Sequence, residues 1–284
     1  MSRHYNANEY VWQAAGDLSG DASAQGFTRN ANLLTASTVL VDRLELESDT
    51  AAPRRVVAMF GDSITDGFMN SATGIPLLPS KEPMSRDVRF PDFLQRRAQA
   101  EGIPITFFSA AMSGNRLLSG PLLPMFGRAG QGRLQRDVVS MAGVTDAIVL
   151  IGINDLGFSI LPAATGQKLI TGLGEAVQKL HAAGIKVILG ALLPSRGAIF
   201  GLLHGSAAVD AARQQVNQWI KTSSQADAVI DFDPCLQDPA KPSSLLKDYD
   251  SRDGLHPNTS GYEAMAACVD FSVYRPANAQ PHFH

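Results

Sequence analysis

The chain is 284 residues long, 45% hydrophobic and 18% charged, with 24 basic against 27 acidic residues and a net charge of −3. That balance supplies a sizeable core and suits one large domain or two modest ones. The absence of a basic stripe or long charge run argues against nucleic acids and anionic membrane surfaces as partners, and the longest apolar runs, 147–153 and 187–193, are too short for membrane insertion.

Residues 1–52 differ in texture from the rest. As far as residue 36 they are rich in Asn, Ala, Ser and Gly, with isolated aromatics at Tyr5, Tyr10, Trp12 and Phe27 and no sustained helical period. Residues 37–46 partly alternate and predict an edge strand with charge facing water. The stretch is expected to be an N-terminal extension lying against a main domain over 53–276, with a disordered tail over 277–284. No basic segment followed by an apolar one opens the numbered chain, so no signal peptide is visible in it.

From Arg54 the pattern alternates. The first strand is read over 56–60, and a Gly/Pro-rich segment over 68–89 precedes a helix over 91–100 that Pro91 is suited to start. Strands follow at 105–108, 147–151, 186–192 and 228–232. Helices are expected over 134–141, 164–183, 207–225 and 259–269; that over 164–183 carries Leu169, Leu173, Ala176, Val177 and Leu180 on one stripe. Near-continuous apolar strands alternating with helices imply a parallel sheet covered on both faces, an α/β class fold with right-handed crossovers. Cys235 and Cys268 suit one disulfide or two buried thiols, and free thiols are favoured because a core of this size needs no staple.

Chemistry concentrates at the strand ends. The first strand breaks at Gly61 and presents Asp62 and Ser63 before Gly67. A serine exposed there, beside free backbone N–H groups, meets the needs of a nucleophile with an oxyanion site. The stretch is not a Walker loop, a G-x-G-x-x-G turn or a G-x-S-x-G elbow, but a turn in which Ser63 or Thr65 caps a helix also fits it. Asp253 and His256 stand three apart before the last helix, where His256 can take the proton of Ser63 and Asp253 can orient its ring; a surface histidine beside a capping aspartate is the plainer alternative. Gly114 and Asn154 follow the second and third strands and offer neutral donors to an oxyanion. Turn geometry would equally explain Gly114, and an Asx-turn with Asp155 as a cap would explain Asn154.

Taken in order, Gly-Asp-Ser-Ile-Thr, Ser-Gly-Asn, Gly-Ile-Asn-Asp and Asp-Gly-Leu-His-Pro-Asn resemble the SGNH hydrolase (GDSL esterase/lipase) superfamily over roughly residues 54–272. The wording around Arg89-Phe90-Pro91-Asp92 and Gly114-Asn115-Arg116-Leu117-Leu118 is similar to a bacterial, often exported branch. The resemblance implies a three-layer α/β/α sandwich with a five-stranded parallel sheet, flavodoxin-like in outline, and ester hydrolysis without metal or cofactor. It implies Ser63 as nucleophile, His256 as base and Asp253 as its orienter. The Ser63 N–H, the Gly114 N–H and the Asn154 amide form the implied oxyanion hole. The expected substrate is a small-molecule ester with a short acyl chain, with carbohydrate acetylesterase and thioesterase activity as alternatives on the same site and a silent binding module as the alternative of another class. Loops 68–89, 116–132 and 194–205 are expected to shape the acyl and alcohol sites, with Arg116, Arg128 and Arg196 as candidate anchors.

Overall fold

Strands whose side chains are apolar on both faces can bury themselves only between two layers, and the computed structural model arranges them so. It describes residues 12–13, 25–29, 54–70, 86–120, 126–158, 165–199 and 203–274. The expected edge strand over 37–46 and the tail over 277–284 lie outside these. Near the N-terminus, β1 (Trp12–Gln13) pairs antiparallel with β2 (Thr28–Arg29). The main sheet begins with β3 (Arg55–Gly61), followed by the single turn α1 (Ser63–Asp66), the helix α2 (Phe90–Ala100) and β4 (Ile105–Ser109). Then come α3 (Gly130–Leu134), β5 (Asp146–Leu150), α4 (Ile153–Gly157), α5 (Gly166–Ala182), β6 (Lys186–Gly190), α6 (Ala207–Thr222) and β7 (Ala228–Ile230).

The sheet has the order β4-β3-β5-β6-β7, with every neighbouring pair parallel. The chain steps from β3 outward to β4, then crosses back to β5 on the other side of β3. That reversal opens a crevice at the carboxyl ends of β3 and β5, the place where open α/β sheets bind ligands. Val57, Ala58, Met59 and Phe60 of β3 are wholly buried, as is every residue of β5. Helix α2 packs on the C-terminal helix α8 (Thr259–Ala267) while α5 packs on α6; right-handed crossovers put the two pairs on opposite faces.

Helix starts follow their caps. Thr165 accepts from the Lys168 N–H (3.2 Å) and Ser206 from the Val209 N–H (3.2 Å), so α5 and α6 begin just after hydroxyl residues. The helix expected over 134–141 starts earlier, at Gly130, and continues as a π-helical turn over Gln135–Val139, closed by the Ser140 N–H on the Gln135 carbonyl at 2.8 Å. The Pro/Ser-rich loop after β7 contains structure not foreseen: a turn of helix, α7 (Asp233–Leu236), and a small hairpin of β8 (Gln237–Asp238) with β9 (Lys241–Leu245).

The expectation of free thiols is corrected. Cys235 of α7 and Cys268, which caps α8, are joined in a disulfide across 33 residues of sequence. Core size does not decide the pairing, because the bond fastens a peripheral turn to the last helix and leaves the sheet unaffected. Closing a loop of this length removes denatured-state entropy worth about 3–4 kcal/mol. Replacing both cysteines with serine should lower unfolding free energy by about that amount, read as a shifted urea midpoint; an unchanged midpoint would show that the bond only tethers an already ordered segment.

Candidate active site

Asp62 caps α1, its Oδ1 accepting the Ile64 N–H at 3.0 Å. Ser63 is therefore the first helical residue and not the cap, which disposes of the capping alternative for its hydroxyl. That hydroxyl lies 2.8 Å from His256 Nε2, and His256 Nδ1 lies 2.6 Å from Asp253 Oδ2. The second carboxylate oxygen, Asp253 Oδ1, accepts the N–H groups of Leu255 (2.9 Å) and His256 (2.8 Å). All three side chains are buried, and the Phe68 ring packs against the imidazole with centroids 4.5 Å apart. Burial pushes the Asp253 carboxyl up, but the charge and hydrogen bond of His256, with the two backbone donors, outweigh it and hold it below the usual carboxylate range. His256 is thus no surface residue: its ring is oriented by an anion on one side and faces a hydroxyl on the other.

Gly114 has φ +73°, and a Cβ there would stand 2.2 Å from the Phe126 ring, so both backbone conformation and space require glycine. Its neighbours are tied to the rest of the site. Asp66 of α1 accepts both the N–H (3.1 Å) and the hydroxyl (2.7 Å) of Ser113. On the other side, Asn154 Nδ2 donates to the Asn115 carbonyl at 3.0 Å. The loop after β4 is thus stitched to the ends of β3 and β5. Neither the Ser63 nor the Gly114 N–H has a backbone acceptor among the described residues.

Asn154 sits inside α4, whose N-cap is Gly152, so the expected alternative of an Asx-turn with Asp155 as a cap is corrected. The Asp155 carboxylate turns away from its own helix and accepts the N–H groups of Leu117 (2.7 Å) and Leu118 (2.9 Å). Burial raises its pKa to about 6 in spite of those donors.

Below the loop lies a residue that sequence reasoning missed. Arg133, buried, donates to the Gly61 carbonyl (2.8 Å), the Ala110 carbonyl (2.5 Å) and Asn115 Oδ1 (2.9 Å), and pairs with Asp137 at 3.1 Å. Its guanidinium also lies 4.1 Å above the Phe60 ring. Asn115 uses its amide nitrogen on the carbonyls of Phe126 (2.8 Å) and Arg128 (2.7 Å). Of the candidate anchors, Arg116 is bonded to the Gly120 carbonyl and Arg196 to that of Gly205 at 3.0 Å, while Arg128 is exposed.

A buried serine hydroxyl on a strand-end turn, joined through a histidine to a carboxylate, is the geometry of nucleophilic acyl transfer. The family model for GDSL-like lipases and acylhydrolases matches residues 59–264. The chain belongs to that family. Among solved structures, a carbohydrate acetylesterase from Sinorhizobium meliloti is similar at 17% identity and TM-score 0.56, over 75% of this chain and 95% of the other. An inhibitor-bound aryl esterase from M. smegmatis is similar at 17% identity and TM-score 0.58, over 75% and 94% of the two chains. A lipase/acylhydrolase from Enterococcus faecalis is 20% identical with TM-score 0.54, over 75% and 92%. At these identities the likeness establishes the GDSL fold. No curated protein matches the chain.

Within this GDSL site, Asp62 makes a prediction about stability. Burial pushes its pKa to about 7, against the Ile64 N–H and the nearby His256 charge, which lower it. Below the unfolded pKa of about 4 both states keep the proton. As pH rises from there through about 7, the unfolded chain ionises first, so the contribution of the protonated folded form is lost. Asp62→Asn cannot ionise and should therefore gain on the wild type between about pH 5 and about pH 8 in urea unfolding. A difference between the two proteins that stays constant with pH would remove Asp62 as the titrating group.

Proposed function

We propose that the chain is a serine esterase that hydrolyses carboxylic esters with short acyl groups through a covalent acyl-enzyme. The single observation that carries the reading is the continuous hydrogen-bonded line from Asp253 through His256 to Ser63. In it, Ser63 Oγ attacks the ester carbonyl carbon as His256 Nε2 takes the hydroxyl proton, and the carbonyl oxygen gains the negative charge. Asp253 keeps the proton on Nδ1, holds the ring in the right tautomer and stabilises the imidazolium. The Ser63 N–H, the Gly114 N–H and the Asn154 amide donate to the oxyanion. Collapse of the tetrahedral intermediate breaks the bond to the alcohol oxygen, which leaves with the proton from His256. Water then gives a proton to His256 Nε2 as its oxygen attacks the acyl carbon; the bond to Ser63 Oγ breaks as that proton passes back to Oγ, and the carboxylic acid is released.

Support for a small acyl group comes from the sequence of 68–89, 116–132 and 194–205, which Gly and Pro interrupt in a way that favours a shallow cleft. The name of one similar protein, a carbohydrate acetylesterase, points the same way. Among the described residues no helix is long and apolar enough to cross a membrane.

A fluorophosphonate probe and a series of acyl esters of rising chain length, run beside acetylated sugars, test the reading together. Wild type should be labelled at Ser63 and turn over acetyl and butyryl esters fastest; Ser63→Ala should lose labelling and all but a residual oxyanion-assisted rate. Full turnover by a folded Ser63→Ala would end the proposal, and faster cleavage of long chains would end its acyl-length part.

For Asn154 the outcomes separate donor from scaffold. Removing an oxyanion donor costs about 10²–10³ in kcat, or roughly 3–4 kcal/mol. The loss should appear in kcat with KM little changed, because the bond is strongest in the transition state. Asn154→Ala with wild-type kcat and a lowered thermal midpoint would assign the residue to the fold alone.

A further inference from the structure

The Asn154 amide is held from both ends, and the far end leads to a histidine with no part in proton transfer. Asn154 Nδ2 faces the Asn115 backbone carbonyl at 3.0 Å, and Oδ1 faces His204 Nε2 at 3.1 Å. A backbone carbonyl only accepts, so the amide atom against it must be the nitrogen. The atom against His204 is then the oxygen, which also only accepts, so Nε2 must carry a hydrogen. Of the two amide hydrogens, one is used by Asn115; the other has no acceptor among the described residues.

The imidazole itself is clamped. It is buried, meets the Phe158 ring edge-on with centroids 4.8 Å apart, and presses on Gly157 so closely that a Cβ there would lie 2.1 Å from Cδ2. Ser195 fixes its backbone by donating to the His204 carbonyl at 3.0 Å. Burial, aided by the nearby His256 charge and against that of Asp253, pulls its pKa down to about 4, which keeps the ring neutral at neutral pH.

We propose that His204 is a positioning residue for ester hydrolysis: its Nε2–H holds the Asn154 amide in the one orientation that leaves an N–H for the oxyanion. The inference rests on Asn154 being an oxyanion donor. Without His204 the Asn115 carbonyl alone holds the amide, which can then turn about its last bond away from the direction the oxyanion requires.

The test compares His204→Leu, which fills similar space without a donor, with His204→Gln, which keeps an N–H, each alone and combined with Asn154→Ala. His204→Leu should lower kcat about tenfold or more with KM little changed, short of the 10²–10³ for losing the donor outright. His204→Gln should return kcat to within about threefold of wild type. In the Asn154→Ala background the two variants should have the same kcat, because the group they position is gone. Wild-type kcat in His204→Leu, or an equal loss in both backgrounds, overturns the inference. Histidine-selective ¹⁵N NMR of the wild type gives a second reading that needs no variant to fold: the proton should be on Nε2, and an Nδ1–H tautomer overturns the proposal. If Ser63→Ala is inactive and Asn154→Ala impaired while His204→Leu is not, only this inference fails; if Asn154→Ala is unimpaired, the oxyanion reading fails with it.

Discussion

The buried guanidinium of Arg133 is the constraint on which the site depends. The carboxyl ends of parallel strands leave carbonyls with no neighbouring strand N–H to donate to them. At β3 and just past β4 those carbonyls, of Gly61 and Ala110, are gathered by one side chain that also holds Asn115. A planar donor with five N–H groups can serve three acceptors in fixed directions, which an ammonium group on a flexible stem cannot. The position of Ser63, two residues past Gly61, and that of Gly114, next to Asn115, are therefore set by the same group.

Around that cation the site collects carboxylates, and backbone N–H groups do most of the work of holding them. Asp62 accepts from Ile64, Asp66 from Ser113, Asp155 from Leu117 and Leu118, and Asp253 from Leu255 and His256. Asp62 caps α1, while Asp66, Asp155 and Asp253 fix stretches of loop that have no regular structure of their own. Burial raises the pKa of Asp62 and of Asp155 but is outweighed at Asp253, where an imidazole supplies both charge and hydrogen bond. Asp253, which faces the imidazole, is thereby held anionic while the pKa values of Asp62 and Asp155 rise, a separation of neighbouring carboxyls by environment.

Periodicity and strand composition made the α/β alternation and the five strands readable from the chain, because fully buried strands have to be apolar throughout. Ser63, Asp253 and His256 were readable because the order of short motifs around them is specific even though each is weak alone. Other residues left no trace of that kind. Arg133 and Gly61 are 72 positions apart, Asp66 and Ser113 are 47, and His204 and Asn154 are 50; nothing local distinguishes these side chains from surface arginines, aspartates or loop histidines. The short helix α4 is absent from the predicted helices because five residues are too few for a helical period to show. The disulfide escaped because a pair of cysteines carries no geometry until the chain has folded.

The contact between Ser63 and His256 spans 193 residues of chain. During synthesis the nucleophile, the glycine loop and Asn154 all leave the ribosome well before the base does. At roughly 5–20 residues per second that interval is about 10–40 s. Through it the serine has no group to take its proton and is as inert as any alcohol. On the proposed mechanism hydrolytic power is thus withheld until almost the whole domain has been made, and a chain broken off before residue 253 would leave the esters around it uncleaved.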